Sequence, residues 1–400
     1  MSEVSERLAE LRAAGLERRL REVEGEQGPR VVLDGREVLL LCTNNYLGLA
    51  THPAVREAAA EAAMQWGAGA GASRLISGTM CVHGALERRL AEFERSDAAL
   101  LFGSGYLANS GTVGALARRG EVVFSDRLNH ASIIDGCRLA AAETFVYEHA
   151  DLDHLAWGLE RAEGRPALIV TDGVFSMDGD VAPLEGLVEL ARRHGCRLMV
   201  DEAHGTGALG PGGRGSVAAA GLEGEVDVIV GTLGKALGGY GAYVCCSAEL
   251  RELLINVARP FVFSTALPPP VVAAADAALA ELEADPGMVE RLARNASTIR
   301  GTLAAEGLAV ETEGTQIVPI LVGEAADASA LCEAALERGV FAQAIRPPTV
   351  PEGTSRLRLT VIATHRRAEL VRAASAIGAA WRELSGAGAG RGSATLERAA

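Results

Sequence analysis

At 400 residues the chain is long enough for two or three domains with a large core, and 48% hydrophobic with 22% charged residues is a globular balance. A formal net charge of −14 argues against nucleic acid or an anionic membrane as partner, and the sequence contains no apolar run of the length a membrane span needs and no apolar signal-peptide core. Seven scattered cysteines with no C-x-x-C pair read as reduced thiols in a cytoplasmic protein.

In chain order, residues 1–24 read as a charged amphipathic helix, and RVVLDGREVLLLC (30–42) as a hairpin turning at Asp34-Gly35. NNYLGLATHP then leads into a helix over 54–66. Seven short apolar, β-rich runs follow: AALLF (98–102), EVVFS (121–125), ETFVY (143–147), ALIVT (167–171), RLMV (197–200), DVIV (227–230) and AYVCC (242–246). Helical stretches at 106–118, 131–140, 151–163 and 184–194 separate most of them. Strands apolar on both faces and alternating with helices predict an α/β fold, a mostly parallel seven-stranded sheet covered on both sides. PPP at 268–270 marks a break before a long helix over 271–306. Strands at 316–322 and 356–362 mix with helices at 327–338 and 366–383, a smaller α+β domain. The expected division is an arm at 1–50, a large domain at 51–270, a helix and small domain at 271–384, and a low-complexity, disordered tail at 385–400.

In an open parallel sheet, ligands bind beyond the carboxyl ends of the strands. Five such ends carry GSGYLANSG, DRLNHAS, DGVFSMDGD, DEAHGTG and GTLGKALGG, which bring Asn109, His130, Asp172, Ser176, Asp201, His204, Thr232 and Lys235 to one rim. Gly103, Gly105 and Ala108 spell G-x-G-x-x-A between a strand and a helix, with Asp126 further on, which matches a dinucleotide fingerprint. An NAD-binding oxidoreductase is therefore a remote alternative. The same turn suits any phosphate at a helix N-terminus, and a dehydrogenase leaves Lys235, Asp201 and His204 without a role. Asp201 and His204 have no further His/Cys cluster beside them that would make a metal site.

Lys235 is the only lysine among 38 basic residues. Arginine is permanently charged and a poor nucleophile, whereas lysine can lose its proton and attack a carbonyl. The glycines around it read as room for a cofactor and substrate to approach. A strand-end aspartate facing a pyridinium nitrogen, a lysine forming a Schiff base and a helix N-terminus holding a phosphate are what pyridoxal 5'-phosphate (PLP) requires.

The chain resembles the α-oxoamine synthases, a branch of the fold-type I PLP enzymes. The resemblance runs from about Gly15 to about His365 on NNYLGL (44–49), GASRLISGT (71–79), HGALERRLAEFE (83–94), NHAS (129–132), DGVFSMDGDVAPL (172–184), VDEAHGTG (200–207), TLGKALGGYGAY (232–243), FSTALPP (263–269) and RPPTVPEGTSRLRLT (346–360). It implies a fold-type I PLP-dependent transferase, with a large PLP-binding sheet domain and a smaller C-terminal domain, working as a homodimer with a shared active site. It also implies site roles. Lys235 holds PLP as an imine, Asp201 pairs with the pyridine nitrogen, and His204 meets the phenolic oxygen with Ser176 nearby. His130 stacks on the ring, and Asp172 adjoins the cofactor. Gly105, Tyr106 and Thr232 hold the phosphate, and Thr265 reaches the phosphate of the other subunit. Arg18, Asn44, Thr349 and Arg358 are candidates for substrate carboxylates, with Arg356 on the same strand face as Arg358 and equally able to be the clamp. RPPTVPEGTSRLRLT resembles the biotin branch, which condenses L-alanine with a pimeloyl thioester, on CoA or an acyl carrier protein, to 8-amino-7-oxononanoate, CO2 and free thiol. There the freed Lys235 amine, or a neighbour, takes the alanine Cα proton, and His130 and His204 protonate or polarise the acyl oxygen. A sibling using glycine and a short acyl-CoA is the alternative, and a non-catalytic module with this fold is disfavoured by the intact Lys235, Asp201 and His204 set. His83, His149, His154 and His194 read as structural.

Overall fold

A computed structural model describes residues 2–388. The chain packs into two compact units, Asn44–Leu292 and a second made of the segments up to Thr43 and from Ala293 on.

The first unit is built on the seven strands that the apolar runs predict: β1 (Ala98–Phe102), β2 (Val122–Asp126), β3 (Glu143–Tyr147), β4 (Ala167–Asp172), β5 (Arg197–Asp201), β6 (Val228–Thr232) and β7 (Ala242–Cys246). Their order across the sheet is β1-β7-β6-β5-β4-β2-β3. The β2/β3, β2/β4, β4/β5 and β5/β6 pairs are parallel, and β7 alone runs against its neighbours β6 and β1. Leu100, Val123, Leu168, Val170, Met199, Val228 and Val244 bury the sheet's face against Val113 and Leu116 of the helix Gly105–Leu116 and Ile133 of the helix Ala131–Leu139. Met199 is fully buried, so its truncation to alanine costs about 2–5 kcal/mol.

Four strands run one or two residues past their apolar run and end on a polar side chain: Asp126, Asp172, Asp201 and Thr232. Backbone pairing continues there because the ladder needs only N–H and C=O groups. The apolar signal stops earlier because the last side chain faces the rim.

In the second unit the hairpin Arg30–Leu33/Arg36–Leu40 turns at Asp34 (φ 51°) and Gly35 (φ 75°), the left-handed pair a two-residue turn requires. A three-stranded antiparallel sheet places Ser355–Thr360 between Ile317–Gly323 and Gln343–Ile345.

Three expectations need correction. The first helix spans Glu3–Ala13 and does not reach residue 24; Gly15 takes φ 67°, which ends the helical path. The long helix over 271–306 is two helices, Pro269–Ala284 and Gly287–Ala305, parted at Asp285-Pro286, where proline supplies no backbone N–H. The last helix, Arg367–Gly388, runs four residues into the tail expected at 385–400; the rest of that tail lies outside the described residues. No helix among the described residues is long and apolar enough to cross a membrane, and none of their His, Cys, Asp and Glu side chains form a metal cluster.

Candidate active site

Asp172 and Asp201 end adjacent parallel strands as register partners. Asp201 is buried, and its two oxygens take different donors: Oδ2 accepts from Asn109 Nδ2 at 2.5 Å and Oδ1 from the Ala203 N–H at 2.8 Å. Asn109 Nδ2 also donates to Ser132 Oγ at 2.9 Å, which sits 2.7 Å from His130 Nδ1. Asn109 Oδ1 is buried with no hydrogen-bond partner among the described residues. Asp172 Oδ2 accepts from the His130 N–H at 2.6 Å, and the Asp172 N–H donates to Asn129 Oδ1 at 2.9 Å. Burial first, then the Asp201 charge, push the Asp172 carboxyl well above the usual carboxylate range. Burial pulls the His130 imidazole down, with the Lys235 charge adding to it and Asp201 opposing.

Lys235 follows β6 in the loop before β7, with Nζ 2.7 Å from His204 Nε2. The other ring nitrogen of His204, Nδ1, sits 2.6 Å from the hydroxyl of Tyr46. Tyr46 OH in turn donates to Asn44 Oδ1 at 3.1 Å. Gly234 is exposed, whereas two of the other glycines around Lys235 do not open room for a ligand. A Cβ on Gly231 would stand 2.1 Å from the Tyr243 ring, and one on Gly238 (φ 66°) would stand 2.2 Å from the Ala50 nitrogen. Those two permit close packing and a left-handed turn.

The helix Gly105–Leu116 starts from the N-cap Ser104, whose Oγ accepts from the Leu107 N–H at 3.3 Å. The N–H groups of Gly105 and Tyr106 belong to the first turn, where a helix has no internal acceptors. A Cβ on Gly105 would meet nothing within 4 Å, so this end is open to an anion. Thr232 Oγ1 donates to Gly241 O and accepts from the Gly234 N–H. Tyr106 sends its hydroxyl to Asp135, so the backbone of Tyr106 is what it offers the rim. Ser176 is half-buried in the loop after β4. Thr265 is exposed and bridges to Ser73.

The dinucleotide alternative loses its acid. Asp126 is buried and accepts from the N–H groups of Leu128 (2.8 Å) and Ala150 (2.9 Å) and from His149 Nδ1 (3.0 Å), which leaves no place for a ribose hydroxyl. The rim fits PLP instead: a lone amine, a buried carboxylate already held by two donors, a helix N-terminus open to a phosphate, and an orphaned acceptor on Asn109.

In the second unit, Arg18 Nη2 donates to Thr349 Oγ1 at 3.3 Å. Arg346 holds the same stretch through the carbonyls of Gly15 and Glu17. Arg356 and Arg358 alternate on one face of Ser355–Thr360, both buried. Cys42, whose thiol burial pushes up to about 12, lies within reach of the Arg358 charge.

Tyr46, Asn129 and Ser132 gained no role from the sequence, and Asn109 was on the rim without one. Tyr46 lies in NNYLGL, and Asn129 and Ser132 bracket NHAS, so the signal was there, but these side chains act by touching other site residues.

The family model for class I and II aminotransferases matches residues 36–377. The 8-amino-7-oxononanoate synthase of Geobacter sulfurreducens is 56% identical over 381 residues, 94% of this chain and 97% of that protein. Its counterpart in Geobacter metallireducens is 53% identical over 379 residues, with the same coverages of 94% and 97%. Among solved structures, a serine palmitoyltransferase from S. paucimobilis with a bound PLP–myriocin adduct matches with a TM-score of 0.91 at 35% identity, over 96% of this chain and 97% of that one. An 8-amino-7-oxononanoate synthase from Francisella tularensis matches with a TM-score of 0.75 at 28% identity, over 86% of this chain and 98% of that one.

Proposed function

The chain belongs to the class I and II aminotransferase family and, within it, to the α-oxoamine synthases, and from that membership we propose that it condenses L-alanine with a pimeloyl thioester to give 8-amino-7-oxononanoate, CO2 and free thiol for biotin synthesis. It is a PLP-dependent acyltransferase of fold type I. PLP, when bound, withdraws electrons from the bonds at the substrate Cα so that they break heterolytically.

The chain's one lysine carries this reading: its amine sits 2.7 Å from His204 on the rim that also holds Asp201. Lys235 would hold the cofactor covalently and, once its amine is free, take the alanine Cα proton. Asp201, kept in place by Asn109 and the Ala203 N–H, would keep a proton on the ring nitrogen. The N–H groups of Gly105 and Tyr106, with Thr232, would seat the phosphate. His130 is assigned to the ring face, His204 and Ser176 to the phenolic oxygen, and Asp172 to holding His130 through its backbone N–H. Fixed charge and hydrogen-bond donors of this kind supply most of an enzyme's rate gain, because they need no reorganisation during the reaction.

Arg18, Asn44, Thr349 and Arg358 are assigned to the substrates' carboxylates. Tyr46 donates to Asn44 Oδ1, so the donor that Asn44 would give a carboxylate is its amide NH2. A buried guanidinium such as Arg358 offers a bidentate fork. Thr265 would serve the phosphate of a second copy, so the working unit is a homodimer. The acyl chain arrives on CoA or on an acyl carrier protein, and the chain's acidity requires a local arginine patch for an acidic carrier. Seven free cysteines support a cytoplasmic location.

The purified protein should show a visible absorption band, and borohydride should fix the cofactor on Lys235, read by mass spectrometry. Paired assays should favour L-alanine with a pimeloyl thioester over glycine with acetyl-CoA. Absence of the band, or preference for glycine and acetyl-CoA, overturns the proposal.

A further inference from the structure

Asp201, Asn109, Ser132 and His130 form one hydrogen-bonded chain. An ionised Asp201 can only accept, so the group 2.5 Å from its Oδ2 is the Asn109 NH2 and not the amide oxygen. The second hydrogen of that NH2 goes to Ser132 Oγ at 2.9 Å. The Ser132 oxygen accepts there, which leaves the hydroxyl proton for His130 Nδ1 at 2.7 Å. The Ser132 N–H, which can only donate, meets the same nitrogen at 3.3 Å. Nδ1 thus faces donors from both the hydroxyl and the backbone of Ser132 and holds a lone pair. A neutral imidazole carries one N–H, so its hydrogen lies on Nε2. Asn109 is 1% and Ser132 0% exposed, so water does not compete along the chain.

We infer that Asn109 and Ser132 are positioning residues that pass the influence of the Asp201 carboxylate on to His130 and fix its Nε2–H form. The inference rests on the proposed places of Asp201 and His130 at the cofactor, and it leaves both groups free for them. A carboxylate has about four lone-pair sites, of which Asn109 and the Ala203 N–H take one each. Ser132 holds His130 in the plane of its ring, so the ring faces stay open for stacking. The aspartate that would face the pyridine nitrogen therefore also decides which nitrogen of the stacked histidine can donate. Toward a reactant, His130 offers a hydrogen at Nε2 and no base at Nδ1. The opposite form would turn an N–H onto the Ser132 donors. The charges acting on the His130 ring are those of Asp201 and Lys235, while Asp172 holds its backbone N–H.

Asn109→Asp reverses the chain while keeping its shape. The new carboxyl shares a proton with Asp201, because two adjacent carboxylates do not both ionise, and its other oxygen accepts from Ser132. Ser132 Oγ must then accept from His130, and hydrogen moves to Nδ1. Nitrogen-15 spectra of the histidine-labelled full chain, with and without PLP, read this directly, with His130 assigned among the 8 histidines by comparison with His130→Gln. At pH 7 wild type should show hydrogen on Nε2, and Asn109→Asp should show it on Nδ1. Ser132→Ala removes one donor to Nδ1 and should raise the midpoint of His130 protonation by about one unit, the worth of one hydrogen bond. In that background Asn109→Asp should no longer bring hydrogen to Nδ1, which separates the chain from the bare charge of an added carboxylate. Hydrogen on Nδ1 in wild type, or Nδ1 left bare in a folded Asn109→Asp, overturns the inference. An unchanged midpoint in Ser132→Ala overturns it even if Asn109→Asp does not fold. Averaging over both forms in every variant would mean a merely loosened site and overturns it as well. Failure of the parent reading shows separately, as wild-type protein that takes up no PLP.

Discussion

Asp172 and Asp201 are register partners at the ends of two adjacent parallel strands, and Asp201 is gripped at both oxygens, by the remote Asn109 and by the N–H of Ala203 two residues on. Two carboxylates so close disfavour double ionisation. The Asp172 carboxyl is the one driven up, by burial and by its neighbour. A raised carboxyl leaves the folded state richer in protons, so its favourable contribution is complete below the ordinary value of 3.8 and is lost as pH rises toward the folded value. Asp172→Asn keeps an oxygen for the His130 N–H and removes the second charge. We expect it to melt at or above the wild-type temperature at pH 8 and to lose that advantage near pH 4, as followed by circular dichroism.

Lys235→Arg should fold, because the neighbouring packing rests on Gly231, Gly238, Leu233 and Leu237 and not on the amine. A guanidinium is neither a base near neutral pH nor able to form an imine. Melting temperature should stay near wild type, PLP should be bound without a borohydride-stable link, and turnover should fall by about 10²–10⁴-fold or more. Turnover near the wild-type rate refutes the central role of the lysine.

His149 sits between two carboxylates, Nδ1 on Asp126 (3.0 Å) and Nε2 on Asp180 (2.9 Å), with its ring edge-on to Phe175 at 4.4 Å. Both nitrogens face acceptors, so both carry hydrogen, and those contacts push the imidazole up to about 10. The pair ties the loop that follows Asp172 and bears Ser176 to the end of β2. A raised histidine stabilises fully below its unfolded value of about 6.5, and the stabilisation disappears as pH rises through 10. His149→Gln should therefore lose roughly 2 kcal/mol at pH 6, with the gap to wild type closing near pH 10–11 in urea unfolding. A constant gap across that range would mean that packing on Phe175, not charge, is what the ring supplies.

The sheet was legible because most of its strands are apolar on both faces, the exposed edge strand Glu143–Tyr147 excepted, and the rim was legible because chemistry-bearing residues follow those runs. The strand ends were read short at Asp172, Asp201 and Thr232 because apolarity marks core contact while the ladder continues into the site. The first helix was read long because charge periodicity carries on past Gly15, where the backbone turns left-handed. Tyr46 escaped because its value lies in a contact with His204, 158 residues away, and Asn109 because its partner Asp201 is 92 residues away. Local pattern encodes burial and turns; such pairings exist only once the sheet has assembled.

A second buried acid gives a pH test remote from the cofactor. Glu94 ends the helix Cys81–Glu94, where it accepts from Tyr243 OH at 2.5 Å, and Tyr243 OH also meets Thr206 Oγ1 at 3.1 Å. Burial pushes the Glu94 carboxyl up to about 8, against the pull of that phenol. The folded state thus prefers the neutral acid. Its contribution is complete below the ordinary 4.5 and is lost as pH rises through 8. Glu94→Gln presents a neutral amide of the same shape, whose oxygen still accepts from Tyr243. Near pH 4.5 the variant and wild type should unfold at similar denaturant concentrations. At pH 9 the variant should be the more stable, by roughly 1–3 kcal/mol, because it has no charge to bury. A variant that is less stable at pH 9 would show that ionised Glu94 is held favourably, with the nearby Arg214 charge outweighing desolvation.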